Sequence, residues 1–194
     1  MKARPAAAFN VSRIMMTLIA LLAASTTAAA SFTLSSQAFH DGGTIGSTYE
    51  YSGYGCTGKN VSPALRWTGV PPQTKSFALT VWDPDAPHRG GWWHWVLFDI
   101  PGSATSLAAG AGSTNSAAAP TGSVEGTTSF GKAGYGGPCP PPGSGSHHYI
   151  FTLYALDEAQ AAGANGTTGG PALKQLIAKH VLGSATLTGR FARP

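Results

Sequence analysis

Three of the eight acids, two of the six histidines and four of the five tryptophans fall within the nineteen residues Trp82–Ile100. Two of these residues, Asp83 and His94, could do chemistry together. A carboxylate beside an imidazole orients the ring and favours its charged form, which then donates to an anion. The same residue types also serve as general acid–base groups and metal ligands. Taken singly, Asp83 could be a turn-capping carboxylate and His94 a satisfied core histidine. Placed together at one mouth of an apolar sheet they point to a site, because a buried carboxylate needs a partner. A second pair, His147 and Tyr149, follows the Gly/Pro-rich run Gly134–Gly143 in the same way that His94 follows its own turn.

Strands are required to position these groups. Ser76–Trp82 alternates with Phe77, Leu79 and Val81 on one face, and the period puts Asp83 on that face at the strand's end. Pro84, Pro87, Gly90 and Gly91 then force a turn. The next strand is apolar on both sides, with His94, Val96, Phe98 and Ile100 on one face and Trp93, Trp95 and Leu97 on the other. Pairing the two as a hairpin makes Asp83 and His94 near neighbours. In His147–Asp157, His147, Tyr149, Phe151 and Leu153 share one face, while His148, Ile150 and Tyr154 share the other.

The first thirty of the 194 residues are expected to be a secretory signal peptide. Lys2, Arg4 and Arg13 precede and flank the apolar run Ile14–Ala24, and Ala28–Ala30 offers a small-residue cleavage site. That run is shorter than an ordinary spanning helix, so no stable membrane insertion is expected once it is removed. The leader carries three of the twelve basic residues and none of the eight acids, which leaves residues 31–194 nearly neutral. The high isoelectric point is therefore no argument for nucleic-acid binding. A periplasmic or secreted location favours a disulfide between the two cysteines, Cys56 and Cys139.

Residues 31–194 are expected to form one domain. Ser31–Phe39 and Ala64–Val70 suit strands, Tyr49–Pro63 a loop, and Pro101–Gly134 a long surface loop poor in large apolar residues. A helical turn is expected over Asp157–Ala162. Pro171–Leu182 has the spacing of an amphipathic helix, with Leu173, Leu176, Ile177 and Val181 facing the core and Gly183 past its end. Ala185–Phe191 suits a final strand. The fold class is β-rich α+β. For Trp92, Trp93 and Trp95 strand periodicity puts at least some in the core, which is expected over a membrane interface.

Asp83-Pro84-Asp85-Ala86-Pro87, Trp93-His94-Trp95, and Gly137-Pro138-Cys139-Pro140-Pro141 with His147 and Tyr149 together resemble the phosphatidylethanolamine-binding protein family. The likeness is greatest to its bacterial, Raf kinase inhibitor-like branch, and Asn60–Pro63 and Phe130-Gly131 extend it over nearly all of residues 31–194. The resemblance implies a large antiparallel sheet, a smaller second sheet and a C-terminal helix. It also implies a small pocket for a phosphate-like anion or phospholipid headgroup, lined by Asp83, Asp85, Pro87, His94, His147 and Tyr149, with no cofactor and no metal. His148 stands where many relatives carry Arg, and Cys139 where many carry Gly.

A binding module, not an enzyme, is the expectation, with both imidazoles charged and holding the anion. An inhibitor of an extracellular protease or host protein is an alternative that no residue pattern identifies. A hydrolase or metalloenzyme would use the same Asp and His residues. The chain has neither G-x-S-x-G nor H-E-x-x-H, and His88 and His94 lack a recognised zinc spacing.

Overall fold

The computed structural model describes residues 1–3, 31–113 and 118–194, so the expected leader lies almost wholly outside the described residues. Long runs of β-branched and aromatic residues form the main strands: β6 (Ser76–Asp83), β7 (Trp92–Pro101), β10 (Ser146–Leu156) and β11 (Val181–Ala192). Short strands complete the sheets: β1 (Thr33–Ser35), β2 (Gly43–Thr44), β3 (Ser52–Gly53), β4 (Cys56–Thr57), β5 (Leu65–Thr68), β8 (Ser106–Leu107) and β9 (Val124–Glu125). The large sheet runs β2-β11-β10-β6-β7-β9, a smaller sheet runs β1-β5-β8, and β3 and β4 form a hairpin. The large sheet is mixed and not wholly antiparallel, because edge strand β2 runs parallel to β11. Among the described residues no helix is long and apolar enough to cross a membrane.

One face of the large sheet packs on the smaller sheet through Phe77, Leu79, Val81, Trp95, Leu97, Phe151 and Leu153, against Leu34, Leu65 and Trp67. The other face, with Ala78, Val96 and Phe98, is covered by α1 (Gly170–Ile177) through Leu173 and Ile177.

Two irregularities in the β6–β7 pairing correct the strict alternation expected for β7. Val81 pairs with Trp95 and Trp82 with Trp93, so His94 is an extra residue on β7. Phe77 pairs with Ile100 and Leu79 with Leu97, which sets Phe98 and Asp99 against Ala78. Each β-bulge turns the side chains beyond it by one place. His94 is thereby separated from Val96 and Phe98, and Trp93 from Trp95 and Leu97. Asp99 takes a left-handed φ of 56°, and its carboxylate accepts the Ala161 N–H at 2.7 Å.

Other expectations need correction. The helix ends at Ile177, five residues early, because Val181 and Leu182 join β11. Leu176 and Val181 are consequently exposed, while Leu173 and Ile177 are buried. Residues 157–162 form bends and a turn and no helix, and the opening strand is limited to Thr33–Ser35. Of Trp92, Trp93 and Trp95, of which at least some were expected inside, Trp95 is fully buried and the other two are half-buried, Trp93 stacking on Trp82. The Pro101–Gly134 segment has little regular structure, as expected, apart from β8 and β9.

The disulfide Cys56–Cys139 joins the β3–β4 hairpin to the Gly/Pro loop across 83 residues. Closing a loop of that length contributes about 4–5 kcal/mol in the chain-entropy model. Replacing both cysteines by serine is expected to lower unfolding stability by roughly that amount, measured by denaturant titration; an unchanged midpoint would show that the cross-link constrains nothing.

Glu125 on edge strand β9 accepts the Trp95 indole N–H at 2.9 and 3.2 Å, and burial pushes its carboxyl up to about 8, against a smaller lowering by that bond. The folded state thus holds a proton that the unfolded state releases above pH 4.5, so this group's stabilisation is lost as pH rises towards 8. Glu125→Gln keeps an acceptor for Trp95 and should flatten the decline in melting temperature between pH 6.5 and 8. An identical decline in the variant would place its origin elsewhere.

Candidate functional site

Asp83 ends β6 and is 3% exposed, a position a carboxylate holds only when its oxygens are satisfied. One oxygen, Oδ1, accepts the N–H groups of Asp85 and Ala86 at 2.8 and 3.0 Å and so folds the turn after β6. The other, Oδ2, lies 2.8 Å from Nδ1 of His147, at the start of β10. The turn-capping and ring-orienting roles weighed for Asp83 are therefore both filled, and the ring is that of His147. His147 is itself 3% exposed, and its Nε2 lies 3.0 Å from Ser144 Oγ.

His94 is placed differently. The bulge turns it to the face that carries Asp83, His147 and Tyr149, where its ring meets Tyr149 and Phe130 edge-on at 5.0 and 5.5 Å. Its Nδ1 donates to the Gly136 carbonyl at 2.7 Å, and the Gly136 N–H returns a bond to the His94 carbonyl at 2.8 Å. A carbonyl only accepts, so the Nδ1–H tautomer is fixed and Nε2 is left as the acceptor in the neutral ring. Burial lowers His94 to about 4, outweighing the Gly136 carbonyl and the nearby Asp83 charge. His94 is therefore neutral near pH 7, and the expectation of two charged imidazoles is corrected: desolvation exceeds the attraction of the carboxylate.

Asn60 holds the loop that supplies Gly136. Its Nδ2 donates to the Tyr135 carbonyl at 3.0 Å and its Oδ1 accepts the Gly137 N–H at 2.8 Å. A side chain at Gly137 would collide with the Tyr49 carbonyl, so glycine is required at that crossing.

These groups border one hollow of about 180 Å³. Asp83, Pro87, His94, His147 and Tyr149 line it, and so does Cys139 of the disulfide. Asp85 does not. Its carboxylate turns outward to accept the N–H and Nδ1–H of His148, both at 2.8 Å, pinning the turn to β10. Burial acts to raise the Asp85 carboxyl, but the His148 bonds and the charges on His148 and His147 together hold it below its usual range. His148 thus points away from His147, as alternation requires, and its ring is committed to Asp85.

Tyr149 is 1% exposed and its hydroxyl makes no hydrogen bond within the described structure, although the Asp83 carboxylate lies beside it. Burial first, and that charge second, push the phenol above its ordinary range, so it stays protonated and able to donate. An aromatic wall that sequence reasoning missed completes the hollow. Phe130 packs with Tyr51 and Tyr54 at 4.5 and 6.1 Å, the two tyrosine rings being 5.5 Å apart, and meets Trp92 edge-on at 5.3 Å. Tyr54, His88, Pro140 and Pro141 also line the rim. No periodicity marks Tyr54 or Phe130, which sit in loops; neighbouring glycines and, for Phe130, the family resemblance were the signals available. The hollow can hold a small group that offers both acceptor and donor atoms and carries an apolar part.

The phosphatidylethanolamine-binding protein family model matches residues 35–192. YbcL of Escherichia coli is 47% identical over 143 residues, which cover 74% of this chain and 78% of YbcL. YbhB of the same organism is 40% identical over 82% of this chain and 99% of its own. LppC of Mycobacterium tuberculosis, a candidate lipoprotein, is 40% identical over 84% of this chain and 74% of its own. The crystal structure of YbcL, described as a new member of the mammalian family, superposes with a TM-score of 0.82, covering 85% of this chain and all of that one. With its mixed large sheet, smaller sheets and late helix, the chain belongs to the phosphatidylethanolamine-binding protein family.

Proposed function

We propose that this chain is a periplasmic or secreted binding protein whose hollow accepts a small phosphate-like anion, such as a phospholipid headgroup. The observation that carries this reading is the meeting of His94, His147 and the unpartnered Tyr149 hydroxyl in one small hollow. Ligand pockets for drug-sized molecules run to roughly 300–1,000 Å³, so a hollow this small suits a headgroup and excludes acyl chains. An export location is supported by the basic start, apolar run and small-residue site of residues 1–30, and by the likeness to LppC.

The tautomer of His94 sets the ligand's protonation state. Tyr149 donates to a phosphate oxygen, while neutral His94 offers Nε2 as an acceptor. A singly protonated phosphate matches this pattern by donating its P–OH to Nε2. A dianion does so only if His94 takes up a proton, against the burial that depresses it. One proton is held in the complex by either route.

Affinity for phosphoethanolamine, measured by calorimetry between pH 6 and 9, is therefore expected to fall with rising pH. The fall should approach tenfold per unit well above a phosphate second pKa of about 6. Buffers of different ionisation enthalpy should report proton uptake. His94→Gln, whose amide can turn to donate, should accept the dianion and flatten the slope. Equal wild-type affinity at pH 6 and 9 would contradict the assignment.

A further inference from the structure

At the edge of the hollow three side chains stand in line. Ser144 Oγ is 3.0 Å from Nε2 of His147, and Nδ1 of the same ring is 2.8 Å from Asp83 Oδ2. This is the order of contacts that activates a serine: hydroxyl, imidazole, buried carboxylate. The burial pattern fits those roles as well. Asp83 is almost inaccessible and its remaining oxygen takes two backbone N–H groups, while Ser144 is exposed on the loop before β10. Triads are recognised by geometry and not by spacing, so the lack of a G-x-S-x-G motif does not bear on it.

We propose that Ser144, His147 and Asp83 form a nucleophilic triad that cleaves small carboxylic esters, an activity separate from anion binding and at odds with the expectation of a purely binding protein. The Ser144 hydroxyl has two acceptors in reach, His147 Nε2 and the Pro141 carbonyl at 2.8 Å. Rotation about Cβ–Oγ alone turns its proton from the carbonyl to the ring. Ser144 Oγ then bonds to the ester carbonyl carbon as its proton passes to Nε2, and Asp83 supports the imidazolium through Nδ1. The C–O bond to the alcohol breaks, and the proton on Nε2 leaves with the alkoxide. Water, deprotonated by the same nitrogen, releases the acid and restores Ser144. The N–H of Gly145, the residue after the nucleophile, makes no hydrogen bond within the described residues and is the candidate donor to the oxyanion. The neighbouring apolar wall of Pro87, Trp92 and Phe130 suits an aryl or short alkyl portion of the ester.

The test uses the mature chain with p-nitrophenyl acetate and a fluorophosphonate probe, followed by mass spectrometry of the labelled peptide. Turnover and a single adduct on Ser144 are expected, both lost in Ser144→Ala, with turnover reduced by about 10²–10⁴-fold. Melting curves identify a variant that fails to fold, and Ser144→Cys, which retains a nucleophile, should recover a thiol-sensitive activity. No adduct, an adduct on another residue, or equal turnover in Ser144→Ala would overturn the triad. Phosphate binding in those same samples would stand unaffected, because none of its proposed contacts requires a Ser144 nucleophile.

Discussion

The structure around the hollow depends on keeping one carboxylate out of water. A carboxylate as buried as Asp83 is unfavourable by several kcal/mol unless its oxygens are occupied by donors. Two backbone N–H groups and one imidazole supply them, and each contact orders a different piece of chain. The N–H groups of Asp85 and Ala86 fix the turn after β6, and His147 ties that turn to the first residues of β10. Asp85 repeats the arrangement on the outside of the sheet, where His148 satisfies it by both backbone and ring. Two consecutive histidines therefore clamp one turn from opposite faces, which explains how a Gly- and Pro-rich mouth can hold a fixed shape.

The second imidazole reaches the hollow by a local defect. Regular pleating would send His94 to the face covered by α1, beside Val96 and Phe98. One extra residue in β7 reverses that direction and puts the ring against Tyr149. The bulge is in turn held by the two hydrogen bonds exchanged between His94 and Gly136, whose loop is bracketed by Asn60. The Gly136 carbonyl gives His94 a fixed tautomer, and burial keeps the ring uncharged. The two histidines thus differ in electrostatic character although they border one space: His147 faces a carboxylate and His94 faces a carbonyl.

Much of this arrangement was legible in the sequence, and the failures have identifiable causes. The faces of β6 and β10 follow from alternation because both strands pair regularly along most of their length. The convergence of Asp83, His94, His147 and Tyr149 could be anticipated from two strand starts preceded by rigid turns, and the disulfide from two cysteines in a chain whose first thirty residues read as an export signal. Bulges were not legible, since an extra residue leaves no mark when both faces of a strand are apolar. The helix was drawn too long because Val181 and Leu182 continue its apolar spacing, and only the pairing of Val181 with Leu156 and of Gly183 with Ala155 shows that β11 has begun by then. The family resemblance assigns Asp85 to the pocket with Asp83, and no strand alternation runs through the eight residues 84–91 between β6 and β7 to show which way its carboxylate points. The aromatic wall was missed for a related reason: Tyr54 and Phe130 are far apart in sequence and meet only where the disulfide-linked hairpin folds over the loop.

Two histidines with different ring partners, a carboxylate for His147 and a carbonyl for His94, line the single hollow proposed to accept an anion. Long-range proton–nitrogen NMR of the imidazole rings during a phosphate titration tests it most directly. His94 should show the Nδ1–H tautomer before phosphate is added, and the ring signals of His94 and His147 should then move together with one dissociation constant, while those of His40 and His180 stay fixed. A His94 ring protonated at both nitrogens in the free protein, or phosphate shifts confined to histidines outside the hollow, would contradict it.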